Sequence, residues 1–166
     1  MSISKALSNF DILRGLHNMV NVVTYENLMH CQNIDDVLKN NCVVIFYESR
    51  TGMGHWVCVF KNDNGYEFFD SYGKKPDESV NFNDDYIRNE KGITYPHLTY
   101  LLYKTKKPIV YNEVQLQKYG HGINTCGRWV MSRLALNVLP QEEFAKLFTK
   151  NGIPPDKLVS ILTKDA

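Results

Sequence analysis

The chain has 166 residues, 43% of them hydrophobic and 22% charged. That balance belongs to ordinary soluble globular proteins and is long enough to bury a core over 1–166 as a single domain without disulfide or metal staples. A formal net charge of +1 excludes an overall field strong enough to make nucleic acid the obvious partner.

No run approaches the ~18 to 20 apolar residues of a membrane span, and the start Met1-Ser2-Ile3-Ser4-Lys5 lacks the apolar core of a signal peptide. No membrane partner is expected, and the cytosol is the expected compartment. Four cysteines, Cys31, Cys42, Cys58 and Cys126, show no CxxC pairing. A reducing setting keeps them as thiols and leaves one available for chemistry.

In chain order, Ser8-Asn9-Phe10-Asp11 followed by Ile12, Leu13 and Leu16 reads as a capped short helix. A second helix is expected over Ile34 to Leu38, opened by Asn33 and Asp35. Val43 to Tyr47 is a β-branched run of the kind that fills a central strand. His55 to Phe60 and Tyr66 to Asp70 are further strands, joined by Lys61-Asn62-Asp63-Asn64-Gly65, whose Asn-Gly step is a hairpin signal.

After the Lys74-Lys75-Pro76 loop, the stretch from Asp84 to Arg88 into Leu98–Tyr103 is less patterned, with a helix expected near Pro96–Leu102. Lys104-Thr105-Lys106-Lys107 reads as a solvated loop before Pro108, a phosphate or DNA contact being the alternative. Ile109-Val110-Tyr111 and Glu113 to Gln117 are expected to form one more edge of the sheet.

From Cys126 onward Trp129, Val130, Leu134 and Val138 recur at helical spacing up to Pro140. Helices over Glu142 to Phe148, ended by Asn151-Gly152, and from Pro155-Asp156 through Leu162 complete the chain. The expected fold class is α+β: an antiparallel-rich mixed central sheet flanked by helices.

Cys126 falls at a helix start, where unpaired N–H groups and the positive end of the helix dipole favour a thiolate; a buried structural cysteine is the competing reading. His55 opens a strand on which His55, Val57 and Val59 share one face and Trp56, Cys58 and Phe60 the other. That alternation separates His55 from Cys58 and argues against a metal site there. Asp70 ends the neighbouring hairpin strand, within expected reach of His55, where it would accept from Nδ1–H and fix the tautomer. Glu67 is the competing carboxylate. His121, in a Gly-His-Gly loop, is a poorly held alternative base.

The strings GHWVCVF, EFFDSYG and NTCGRWV, in that order, resemble the adenain-like (adenovirus-protease-like) cysteine proteases and, more broadly, the clan of SUMO and ubiquitin-like-protein proteases. The resemblance runs from about Ser8 to Leu162 and extends to virophage, Polinton and large-DNA-virus members. It implies Cys126 as nucleophile at the start of a buried helix, His55 as general base, Asp70 as orienting carboxylate, Trp56 as a wall of the substrate site and Gln117 as oxyanion donor. Family members usually place that Gln six or seven residues before the Cys, so residues 119–122 must bulge, and Gln115 is the rival.

The resemblance further implies a viral cysteine endopeptidase that needs no metal or cofactor and cuts after small residues. Its expected substrates are capsid and other structural precursors, processed during virion maturation in the host cytoplasm (virus factory) and the virion. The expected state is a monomer. An activating peptide or DNA occurs in the adenovirus enzyme, but the near-neutral charge here does not favour DNA. A protease of ubiquitin-like modifiers and a catalytically silent binding protein are the alternatives.

Overall fold

Five strands, β1 (Asn21–Thr24), β2 (Cys42–Arg50), β3 (Met53–Asn62), β4 (Gly65–Phe69) and β5 (Ile109–Tyr111), pair in that order into one mixed sheet. The computed structural model describes residues 3–50, 52–82, 89, 92–93 and 95–166, excepting the side chains of residues 50, 81 and 82. The less patterned stretch over residues 84–88 lies outside the described residues. Among those described, no helix is long and apolar enough to cross a membrane.

The central β2–β3–β4 meander is antiparallel, while β1 and β5 add parallel edges. Two residues, Asp63 and Asn64, separate β3 from β4, and the Asn62 side chain accepts from the N–H groups of Asn64 and Gly65. Gly65 is required by a close approach: a Cβ there would lie 2.3 Å from the Pro108 carbonyl oxygen at the entry to β5. The hairpin read from the sequence is present with a tighter turn than the five residues expected.

Helices cover both sheet faces: α1 (Asn9–Gly15), α2 (Tyr25–Met29), α3 (His97–Lys104), α4 (Cys126–Ala135), α5 (Gln141–Thr149) and α6 (Pro155–Leu162). Val44, Trp56, Cys58, Phe60 and Phe69 pack against α1, α4, α5 and α6, whereas Val43, Ile45, Val57, Val59 and Phe68 face α2 and α3. The period-two alternation therefore sorts β3 as expected. Trp129 on α4 is fully buried, with Phe148 at 4.6 Å between ring centroids. Truncating such a residue to alanine costs about 3–5 kcal/mol.

Several expectations need correction. Ile34–Val37 is a 3-10 turn instead of an α-helix. Glu113 to Gln117 is not a strand. The Asn112 side chain donates to the carbonyls of Asp70 and Val114 and accepts from the Val114 N–H, and these local bonds turn the chain out of the sheet after β5. Helix α4 stops at Ala135, leaving Val138 88% exposed, because the Arg133 guanidinium takes the Leu136 and Leu139 carbonyls. β1 and α2 carry no strong local sequence signal. Each is held by tertiary pairing and, at α2, by a reciprocal Thr24–Asn27 capping box.

Candidate active site

β4 ends at Phe69, five residues before β3 does at the same end of the sheet, so His55 projects past the last β3–β4 pair, Cys58 with Phe69. Asp70 leaves β4 on the face that His55 shares, and its Oδ1 lies 2.8 Å from His55 Nε2. The nitrogen that meets the carboxylate is thus Nε2, where Nδ1 was expected. A carboxylate only accepts, so Nε2 carries a proton in either charge state of the ring. Nδ1 is left free of the carboxylate, and the Cys126 side chain is near enough to act on the charge of the imidazole.

Asp70 is fully buried and both its oxygens are engaged: Oδ1 also accepts the Tyr72 N–H at 2.8 Å, and Oδ2 accepts the Ser79 hydroxyl. Burial alone would raise this carboxyl, but His55, Ser79 and the Tyr72 N–H outweigh it and hold the pKa below the usual carboxylate value. Burial likewise works against a charged His55 ring. The Asp70 charge and hydrogen bond and the Cys126 side chain overcome it and push the imidazole up to about 10.

Cys126 is the first residue of α4 and is 8% exposed. Thr125, the N-cap residue, makes no side-chain cap; its hydroxyl donates to Asp156 Oδ1 at 2.6 Å instead. The helix start therefore keeps its positive end directed at the sulfur, where it favours negative charge on sulfur or on an oxyanion beside it. Gly127 allows a close fit, since a Cβ there would lie 3.0 Å from Leu7 and 3.3 Å from Trp56.

Gln117 is buried at 1% exposure while Gln115 is exposed and donates its amide to the Gln117 carbonyl. The Gln117 Oε1 accepts the Ser71 hydroxyl at 2.7 Å, and its Nε2 points to the Ile123 carbonyl at 3.4 Å and the Tyr72 hydroxyl at 3.3 Å. A carbonyl accepts only, so the amide orientation is decided. Both Nε2 contacts are long, so the donor is available to a better acceptor. The expected bulge is an exposed turn with Gly120 at φ 154° and Gly122 at φ 82°. His121 at its tip is exposed.

Trp56 is 7% exposed, donates its indole N–H to the Leu7 carbonyl at 3.0 Å and packs on Phe46. With Leu7, Val22, Val23, Phe46 and Met53 it lines a groove of about 530 Å³ that ends at Cys126. Glu67, the competing carboxylate, is on the opposite sheet face in a two-bond ion pair with Arg133 at 2.8 and 3.2 Å, so it does not orient His55. Among the described residues no group of three His, Cys, Asp or Glu side chains is placed to hold a metal ion.

The uncharacterized protein V9 of Sputnik virophage is 42% identical to this chain over 165 residues, covering 95% of this chain and 94% of the relative. The chain belongs to the V9 family. No protein-family model matches it. Two solved structures are similar at low superposition scores. One is the ASFV pS273R protease, at 16% identity and TM-score 0.48, covering 96% of this chain and 67% of that one. The other is the central domain of the uncharacterized Lpg1148 protein of Legionella pneumophila, at 15% and 0.43, covering 97% and 95%. Likenesses at this level assign no function to a V9-family chain.

Three residues that support the V9-family site were not singled out from the sequence. Asp156, buried in the first turn of α6, accepts from the Thr125 hydroxyl, the Trp129 indole and the Lys118 N–H, tying the start of α4 to the loop after Gln117. Ser79 completes the Asp70 shell, and Tyr72 stacks on the His55 ring. The acidic residue after Pro155 was legible only as a helix-start signal, and nothing in the local pattern marks Ser79.

Proposed function

We propose that this V9-family chain is a viral cysteine endopeptidase of the adenain-like kind. Cys126 is its nucleophile, His55 its base and then acid, and Asp70 the carboxylate that orients His55. The observation that carries this reading is the buried Asp70–His55 pair meeting a cysteine at an uncapped helix start, where an apolar groove ends.

The Cys126 thiolate attacks the peptide carbonyl carbon, and the oxyanion receives hydrogen bonds from the Gln117 amide and backbone N–H groups at the start of α4. The His55 imidazolium gives its Nδ1 proton to the leaving nitrogen as the C–N bond breaks, leaving a thioester on Cys126. Water, deprotonated by the now neutral His55, attacks the thioester and returns the thiolate. Asp70 keeps Nε2 protonated throughout and stabilises the imidazolium. Trp56 and Phe46 wall the groove on the acyl side.

The virophage origin of the relative supports capsid and structural precursors as substrates, with processing in the virus factory and the virion. Incubation with the capsid protein of its own virus and with ubiquitin-like precursors tests this, using Cys126→Ala as control. Cleavage of the capsid protein by the wild type alone is expected. Cleavage of only the modifiers overturns the substrate assignment, and cleavage of neither, with no reaction at Cys126, favours a binding protein.

A further inference from the structure

The His55 ring is stacked by Tyr72 at 4.7 Å between centroids and 17° from parallel, and Tyr72 is stacked by Tyr119 at 4.3 Å and 18°. A ring cannot hold two parallel neighbours at that spacing on one face, so the three rings form a column with Tyr72 in the middle. Tyr72 also touches the other parts of the site: its N–H binds Asp70 and its hydroxyl accepts from Gln117. Tyr119, at the outer end, is 49% exposed. Its loop is rooted by the Lys118 N–H on Asp156, at 2.9 Å, and continues into the left-handed glycines Gly120 and Gly122.

The groove that reaches Cys126 past Trp56 includes neither Tyr72 nor Tyr119. For His55 to protonate the departing nitrogen, the chain beyond the scissile bond must pass over the imidazole and therefore alongside the column. We propose that Tyr119 contacts the residue immediately after the scissile bond and selects a flat or branched apolar side chain there, with Tyr72 as the positioning residue that transmits this contact to His55. The inference rests on the protease reading. It adds a specificity surface on the leaving-group side, separate from the Trp56 groove.

The test is digestion of a peptide library prepared from a denatured proteome, with mass spectrometry reading the residues on both sides of every cut. Wild type, Tyr119→Ala, Tyr119→Leu and Tyr72→Leu are compared, and iodoacetamide labelling of Cys126 checks each site's integrity. The wild type is expected to enrich aromatic or branched apolar residues just after the cut. Tyr119→Ala should lose that enrichment at least fivefold without changing the preference before the cut, and Tyr119→Leu should retain the branched part only. Tyr72→Leu should lower kcat more than it raises KM and shift the basic limb of the pH profile. The inference is overturned if Tyr119→Ala leaves the post-cut preference as in wild type or changes the pre-cut preference instead. If the wild type cuts nothing while Cys126 still labels, the protease reading itself fails and the inference falls with it.

Discussion

Replacing Asp70 by Asn keeps the shape of the side chain and removes its charge, which isolates the force that keeps His55 protonated. The imidazole rises from 6.5 to about 10 against the opposing effect of burial, a shift worth roughly 5 kcal/mol at ~1.36 kcal/mol per unit, shared between Asp70 and Cys126. Without the carboxylate its share of the upward shift is lost against unchanged burial, and the ring should titrate well below its wild-type value. The imidazolium population at pH 7.5 should fall, and kcat is expected to fall by about 10²- to 10⁴-fold, the usual range for a lost acid–base group.

The pKa is read directly by NMR of the His55 ring, and the consequence by the pH dependence of Cys126 alkylation. The wild type should be alkylated at lower pH than Asp70→Asn, in which His55 no longer holds its charge beside the sulfur. Stability follows the same linkage. A folded pKa above the unfolded one contributes in full below about 6.5 and is lost as pH rises toward about 10, so the deficit of Asp70→Asn should shrink across that window. On the acid side, the lowered Asp70 pKa makes its contribution disappear as pH falls through that lowered value. An Asp70→Asn variant whose imidazole titrates as in wild type would refute this reasoning.

Cys126→Ala should abolish proteolysis with an unchanged circular dichroism spectrum, while Cys31→Ser keeps turnover near wild type, both followed with a cleaved peptide. Gln117→Ala should lower kcat by about 10²- to 10³-fold with little change in KM, whereas Gln115→Ala, altering an exposed side chain, should stay within a few-fold. Glu67→Gln weakens the buried pair with Arg133 and should lower urea stability by up to about 3–5 kcal/mol. Its pH–rate profile should match wild type, because this carboxylate lies on the other face of the sheet from His55.

The parts of the fold legible in the sequence were those with strong local signals. The alternation of β3 separated Trp56, Cys58 and Phe60 from His55, Val57 and Val59, and the Asn-Gly step returned the chain so that Asp70 met His55. β1 and α2, four and five residues long, carry too little local pattern and exist through pairing with β2 and packing. Glu113 to Gln117 alternates like a strand, yet the Asn112 side chain competes for the backbone and wins. The ring nitrogen facing Asp70 is set by the side-chain rotamer of His55, which no sequence pattern encodes. The support from Ser79 and Asp156 comes from residues 9 and 31 positions from their partners Asp70 and Thr125, beyond the range of local reading.

The central claim is that Cys126 is a nucleophile activated by His55. Its most direct test is intact-mass and peptide-mapping analysis after exposure to a peptide vinyl sulfone at pH 6.5, where an ordinary thiol is almost entirely protonated. One adduct on Cys126, absent after denaturation and absent in His55→Ala, is the predicted result. Labelling of Cys31 in its place, or equal labelling of Cys126 in the His55→Ala protein, would contradict the account.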